Sequence, residues 1–169
     1  MMSGITTLKK IIKVKVEFTV FSYYSDFLRF VMNVKYSPSA IVIENSNLQK
    51  AIFNYKASKS ILYKIARNVG QNQACSQITL DLCKELFIDS DIHDISPADK
   101  GGKWDKETFI SEITNRGHIY EGVSNQDQRD AYKLALIGLK DNKGVYWGID
   151  PSFRNKGMVL CQIIVDGNI

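Results

Sequence analysis

Between Ile12 and Val20 the chain alternates without a break: Ile12, Val14, Val16, Phe18 and Val20 are apolar, while Lys13, Lys15, Glu17 and Thr19 are polar. Successive side chains of a strand point to opposite faces, so this stretch predicts a β-strand with one buried face and one lysine-bearing face. Its backbone needs hydrogen-bonding neighbours, which the rest of the sequence must supply. Leu28, Phe30, Met32, Val34 and Tyr36 alternate too, with SYYSD as a hairpin turn before them, although Phe27, Leu28, Val31 and Met32 also suit a helix. AIVIE, residues 40–44, is a third strand candidate.

The pattern then changes period. From Ser46 as cap, Leu48, Ile52, Tyr55, Leu62 and Ile65 recur at mostly helical spacing toward a stop at Gly70, and a second helix is expected over Gln77–Phe87. Ile88 to Trp104, with Pro97 and the Gly101-Gly102 pair, has little periodicity and predicts a long loop. Asp105 caps a short helix through Phe109, Ile110 and Ile113, ended by Gly117 in the left-handed conformation. HIYEGV is a strand; AYKLALIGLK and VYWGID pair as a hairpin around DNKG, with Asp130–Leu139 open to a helical reading; GMVLCQIIV is the last strand. Strands, then helices, then strands predict an α+β fold: largely antiparallel sheet from the N-terminal and C-terminal strands, two to three central helices, and one domain over residues 1–169.

A hydrophobic fraction of 44% and a charged fraction of 24% are those of a chain able to bury a core, and exclude a disordered or collagen-like one. The apolar runs fall well short of the roughly 18 to 20 residues that cross a bilayer. Lys9, Lys10, Lys13 and Lys15 interrupt the place where a secretory signal would carry its apolar core. Cys75, Cys83 and Cys161 form no CxxC pair and read as free thiols, and no Asn-x-Ser/Thr sequon occurs, so a cytoplasmic address is expected.

Charge is divided along the chain. Residues 1–75 carry 11 Lys and Arg against 3 Asp and Glu; residues 76–169 carry 11 against 15. A basic half can follow phosphates, which makes Lys13, Lys15, Lys56, Lys59, Lys64 and Arg67 candidate nucleic-acid contacts, expected on one surface. The acidic stretch DSDIHDISPAD suggests a cation site on Asp89, Asp91 and Asp94, with Glu107 near it, because hard oxygen donors hold divalent ions. Its spacing fails as an EF-hand, since Asp94 stands where the loop needs glycine and Lys100 where it needs glutamate. His93 and His118 are the only histidines, and GxSxG, GxGxxG and the phosphate-binding GxxxxGK[ST] are all missing.

With no coherent catalytic set and no cofactor motif, the first reading is a small intracellular non-catalytic protein-binding module, such as an inhibitor, an immunity-type factor or an assembly subunit. Its expected partner contact is Tyr146, Trp147, Phe153 and Arg154, because alternation in VYWGID should leave one large aromatic facing solvent. The alternative is a nucleic-acid-binding or metal-dependent phosphodiester-cleaving protein built on the basic half and the acids.

Overall fold

The computed structural model describes residues 12–49, 56–151 and 157–167. Six strands, β1 (Ile12–Phe21), β2 (Ala40–Glu44), β3 (Asp91–Ile95), β4 (His118–Ile119), β5 (Gly144–Asp150) and β6 (Met158–Gly167), form one sheet in the order β3-β2-β5-β6-β1-β4. Four helices, α1 (Tyr24–Asn33), α2 (Lys59–Leu86), α3 (Lys106–Asn115) and α4 (Gln126–Gly138), connect them. The chain is therefore α+β. The largely antiparallel expectation holds only for β5 with β6 and β6 with β1; β2 runs parallel to β3 and β5, and β1 to β4. Helical crossovers explain the difference, since a helix carries the chain back to the edge where the next strand begins.

Both faces of the sheet are covered. On one, α3 and α4 bury Val16, Tyr146, Cys161 and Ile163 with Phe109 and Tyr132; on the other, α1 and α2 bury Ile41, Ile43, Trp147 and Leu160 with Phe27 and Leu80. That is why AIVIE and MVLCQII are apolar almost throughout: central strands packed on both faces do not alternate. Gly148 sets the tightest contact. A Cβ there would lie 2.1 Å from the Ala131 carbonyl oxygen and 2.3 Å from the Ala135 nitrogen, so α4 rests on bare strand backbone.

Several expectations are corrected. Residues 28–36 are not a strand: Phe27 and Val31, four apart, are the buried positions of α1, and helical spacing outweighs the alternation. Ser46–Leu48 is a short 3-10 turn, Ile52 and Tyr55 lie outside the described residues, and Gly70 does not stop a helix: the predicted first helix, from Lys59 on, and the predicted second are one helix of 28 residues. Ser58 caps it by accepting from the Ile61 N–H, and its C-terminal half packs on the sheet, which offsets the roughly 1 kcal/mol that an interior glycine costs. The predicted long loop contains β3, a polar edge strand paired with β2. Asp130–Gly138 takes its helical reading within α4, which a capping box between Asn125 and Gln128 begins and Leu139, in extended conformation, ends. Gly117 follows α3 at φ +68°, as the sequence implies. Among the described residues no helix is long and apolar enough to cross a membrane.

Two glycine substitutions should move stability in opposite directions. Gly148→Ala drives a methyl into α4 and is expected to cost about 3 kcal/mol, whereas Gly70→Ala, with open space around it, should gain about 0.5–1 kcal/mol. Urea denaturation checks both; a neutral Gly148→Ala would mean that α4 does not lie against β5 as described.

Candidate functional site

The ends of two apolar strands bring the first acids together. Glu44 closes β2 and Asp150 closes β5, and the parallel register that pairs Ile43 with Ile149 sets them side by side one step further on. Alternation puts both on the face covered by α4, with Ala40 and Tyr146. Asp130, in the second turn of α4, stands above that edge. The loop after β3 supplies Lys100, whose ammonium bonds Glu44 and lies 3.2 Å from Asp130 Oδ2. All four are largely shielded from solvent: Asp130 is 6% exposed, Asp150 4%, and the Lys100 side chain 9%.

Burial works against a charge on Lys100, but the fields of Glu44, Asp130 and Asp150 outweigh it, and its pKa is raised. Lys100 therefore remains an ammonium across the physiological range. The acids open into a cleft of about 500 Å³, also lined by Asp127, Lys103, Asn72 and Ser76. Connections from neighbouring strands leave here for opposite faces of the sheet, β2 toward α2 and β3 toward α3. A crevice at the carboxyl ends of parallel strands where the connections diverge is where open α/β sheets take ligands.

The loop that carries Lys100 is held from α4. Arg129 donates from Nε to the Trp104 carbonyl at 2.9 Å and from Nη1 to the Ser124 carbonyl at 2.8 Å. Lys133 donates to the Gly102 carbonyl and stands 5.1 Å from the centre of the Trp104 ring, in cation–π range. Gln126 donates from Nε2 to Asp130 Oδ1 at 2.9 Å and so orients that carboxylate. Among the described residues no group of three or more His, Cys, Asp or Glu side chains stands ready to hold a metal ion; the Lys100 ammonium lies among the acids instead.

The acids predicted from sequence do not converge. Asp91 and His93 point to one face of β3, hydrogen-bonded at 2.9 Å, with Lys140 also beside Asp91. The His93 hydrogen bond, and the field of Lys140, lower the Asp91 pKa against the opposing effect of burial. Asp94 points to the other face and accepts from Asn45 Nδ2, Asp89 lies beyond the opposite end of β3, and Glu107 is exposed on α3. A strand turns neighbouring residues away from each other, so an acidic run along it makes no cluster.

The proposed lysine surface is divided as well. Lys13 and Lys15 sit where β1 begins, at the amino edge of the parallel strands, while Lys56, Lys59, Lys64 and Arg67 lie around the start of α2, past the carboxyl edge. Tyr146 and Trp147 are 1% and 0% exposed, on opposite faces, because helices cover both; neither is the exposed aromatic expected of a partner contact. Phe153 and Arg154 lie outside the described residues.

Other candidate groups stay away from this chemistry. Burial pushes the thiol of Cys75 up to about 11 and that of Cys83 up to about 12, and raises Cys161 well above its ordinary value, so none is a ready thiolate. His118 pairs with the Tyr132 hydroxyl at 2.8 Å, its pKa lowered by burial and then by Arg116. A second cavity of about 540 Å³ between α1 and α2 is lined by Tyr24, Asn68, Gln71, Cys75 and Ile78 and has no charged side chain. Of similar size, it offers no carboxylate or cation for a reaction.

Replacing Lys100 by methionine leaves Glu44 and Asp130 buried beside Asp150 without their cation, and should cost about 3–5 kcal/mol at neutral pH. Because the folded-state pKa of Lys100 is raised, this contribution is complete below the ordinary value of 10.5 and declines as pH rises through the raised one. Denaturation of both proteins between neutral and strongly alkaline pH checks the sign; a gap that widens with pH contradicts it. This chain matches no family model, no curated protein and no solved structure.

Proposed function

We propose that the chain is a metal-dependent phosphodiesterase acting on nucleic acid, with Glu44, Asp130 and Asp150 as its metal-binding acids. The observation that carries this reading is their convergence around Lys100, from three separate elements, in an open cleft at the carboxyl edge of the sheet. Folding alone gives little reason for such a group, since apolar residues of similar volume stabilise as well as or better than a buried ion cluster. Carboxylate oxygens are the donors that magnesium and manganese take. A floor of acids repels a phosphodiester unless a divalent cation lies between them, and such a cation both screens the charge and activates water. Hydrolysis adds that water across one P–O bond and leaves a phosphate monoester and a hydroxyl.

Lys100 bridges Glu44 and Asp130. A divalent cation on Glu44, Asp130 and Asp150 would supply the neutralisation that the Lys100 ammonium supplies here. Arg129 and Lys133 hold the backbone of the loop that carries Lys100. Asp127, one turn before Asp130 and on the cleft wall, adds a fourth acid. The contact site expected of a non-catalytic binding module is not formed by Tyr146 and Trp147, which are buried.

Labelled single-stranded and duplex DNA and RNA, incubated with magnesium or manganese and with a chelator, test the proposal. Cleavage is expected only with metal, and Asp150→Asn or Glu44→Gln should reduce it about 100-fold or more while the circular dichroism spectrum is unchanged. Absence of cleavage on every substrate, or cleavage that survives Asp150→Asn, contradicts it.

A further inference from the structure

The long helix reaches well past the site. Ser46, just beyond β2, bonds Ser76 Oγ at 3.1 Å, and Asn47 Nδ2 donates to the Gln73 carbonyl at 2.9 Å, so residues 73–76 of α2 lie level with the carboxyl edge of the sheet. From there to Leu86 the helix packs down the sheet. In the other direction Lys59–Asn72 extends past that edge, a length of about 20 Å at 1.5 Å per residue. Asn72 itself lines the acidic cleft, so this half of α2 begins at the wall of the cleft and runs outward from it.

That projecting half is basic without interruption. Between Lys56 and Leu80 the chain has Lys56, Lys59, Lys64 and Arg67 and no acid, the first being Asp81. Lys59, Lys64 and Arg67 are all exposed. At 100° per residue they occupy about 140° of the helix, opposite the face that buries Ser76, Thr79, Leu80 and Cys83. Tyr63, 72% exposed, lies on the same face between Lys59 and Arg67 and offers a ring to a base. The cleft floor and the arm thus carry opposite charge, one suited to a cation and the other to a polyanion.

We infer that the N-terminal half of α2 is an arm that grips the nucleic-acid backbone away from the reacting phosphodiester, through Lys59, Lys64 and Arg67, and so sets a minimum substrate length. This rests on the reading of the cleft as a phosphodiester site and adds the extent of the substrate. An arm of about 20 Å corresponds to about six base pairs at about 3.4 Å each. A substrate must continue roughly that far from the cleaved bond to use it.

The test measures binding by anisotropy, with calcium present and over a salt series, for labelled DNA and RNA of about 6 and about 24 residues, single-stranded and duplex. The proteins are the wild type, Lys59→Gln/Lys64→Gln/Arg67→Gln, and Lys13→Gln/Lys15→Gln from the opposite edge. The arm variant should bind the longer substrates about tenfold or more weakly at low salt, with the logarithmic salt slope reduced by about 2 to 3 for three lost phosphate contacts. The shortest substrates should show much less difference, and the Lys13/Lys15 variant should resemble the wild type. Unchanged affinity and slope in the arm variant, an equal loss in the Lys13/Lys15 variant, or no binding by the wild type at low salt overturns the inference. Arm-dependent binding without any metal-dependent cleavage supports the arm while removing the assignment of the cleft. Cleavage of long substrates that is indifferent to the arm variant does the reverse.

Discussion

The contact of α4 with bare backbone at Gly148 is the constraint on which the rest depends. Any side chain at that position would meet the Ala131 carbonyl oxygen and the Ala135 nitrogen, so glycine alone lets the helix come this close to β5. The same close approach brings Asp130, next to Ala131, down to the end of the strand that finishes in Asp150. Packing density and site geometry are thus one arrangement. Gly138 continues it at the far end of α4, where a Cβ would lie 3.1 Å from Val42 and 3.2 Å from Ala40, keeping the helix low across β2 as well.

Placing acids this way creates a charge problem that Lys100 relieves. Three carboxylates removed from water and close together repel each other, and a single ammonium among them offsets part of that repulsion. The residues that hold the Lys100 loop, Arg129 and Lys133, come from the helix that supplies Asp130. One helix therefore contributes an acid and the clamp on that acid's counter-charge. A divalent cation held by these acids would be a stronger version of the same neutralisation.

How much could be read from the sequence follows from the range of the signals involved. β1, β2, α3 and β6 were legible because alternation, an apolar run and the Asp105 cap act over a few residues. The continuity of α2 was not, because Gly70 weakens a helix only slightly and its neighbours Ala66, Gln71 and Ala74 favour one. β3 was hidden because its polar residues sit at an edge, where pairing with β2 and not burial defines the strand. Parallel pairing is a property of the crossovers and has no local mark. The acidic run around Asp91 drew attention because its members are close in sequence, yet a strand separates them. The acids that do meet end AIVIE and VYWGID, and that shared ending was a usable sign once both runs were known to be parallel neighbours. Asp130 carried no sign beyond its place on a helix whose buried face could not be assigned without the sheet.

The central claim is that Glu44, Asp130 and Asp150, gathered around Lys100, would hold a divalent cation. Anomalous diffraction from crystals of the full chain soaked in manganese tests it most directly. The account predicts one strong manganese peak in contact with carboxylate oxygens of Asp150 and Glu44, with the Lys100 ammonium displaced from Asp130. A cleft without manganese, with Lys100 still bonded to Glu44 and Asp130, would contradict it.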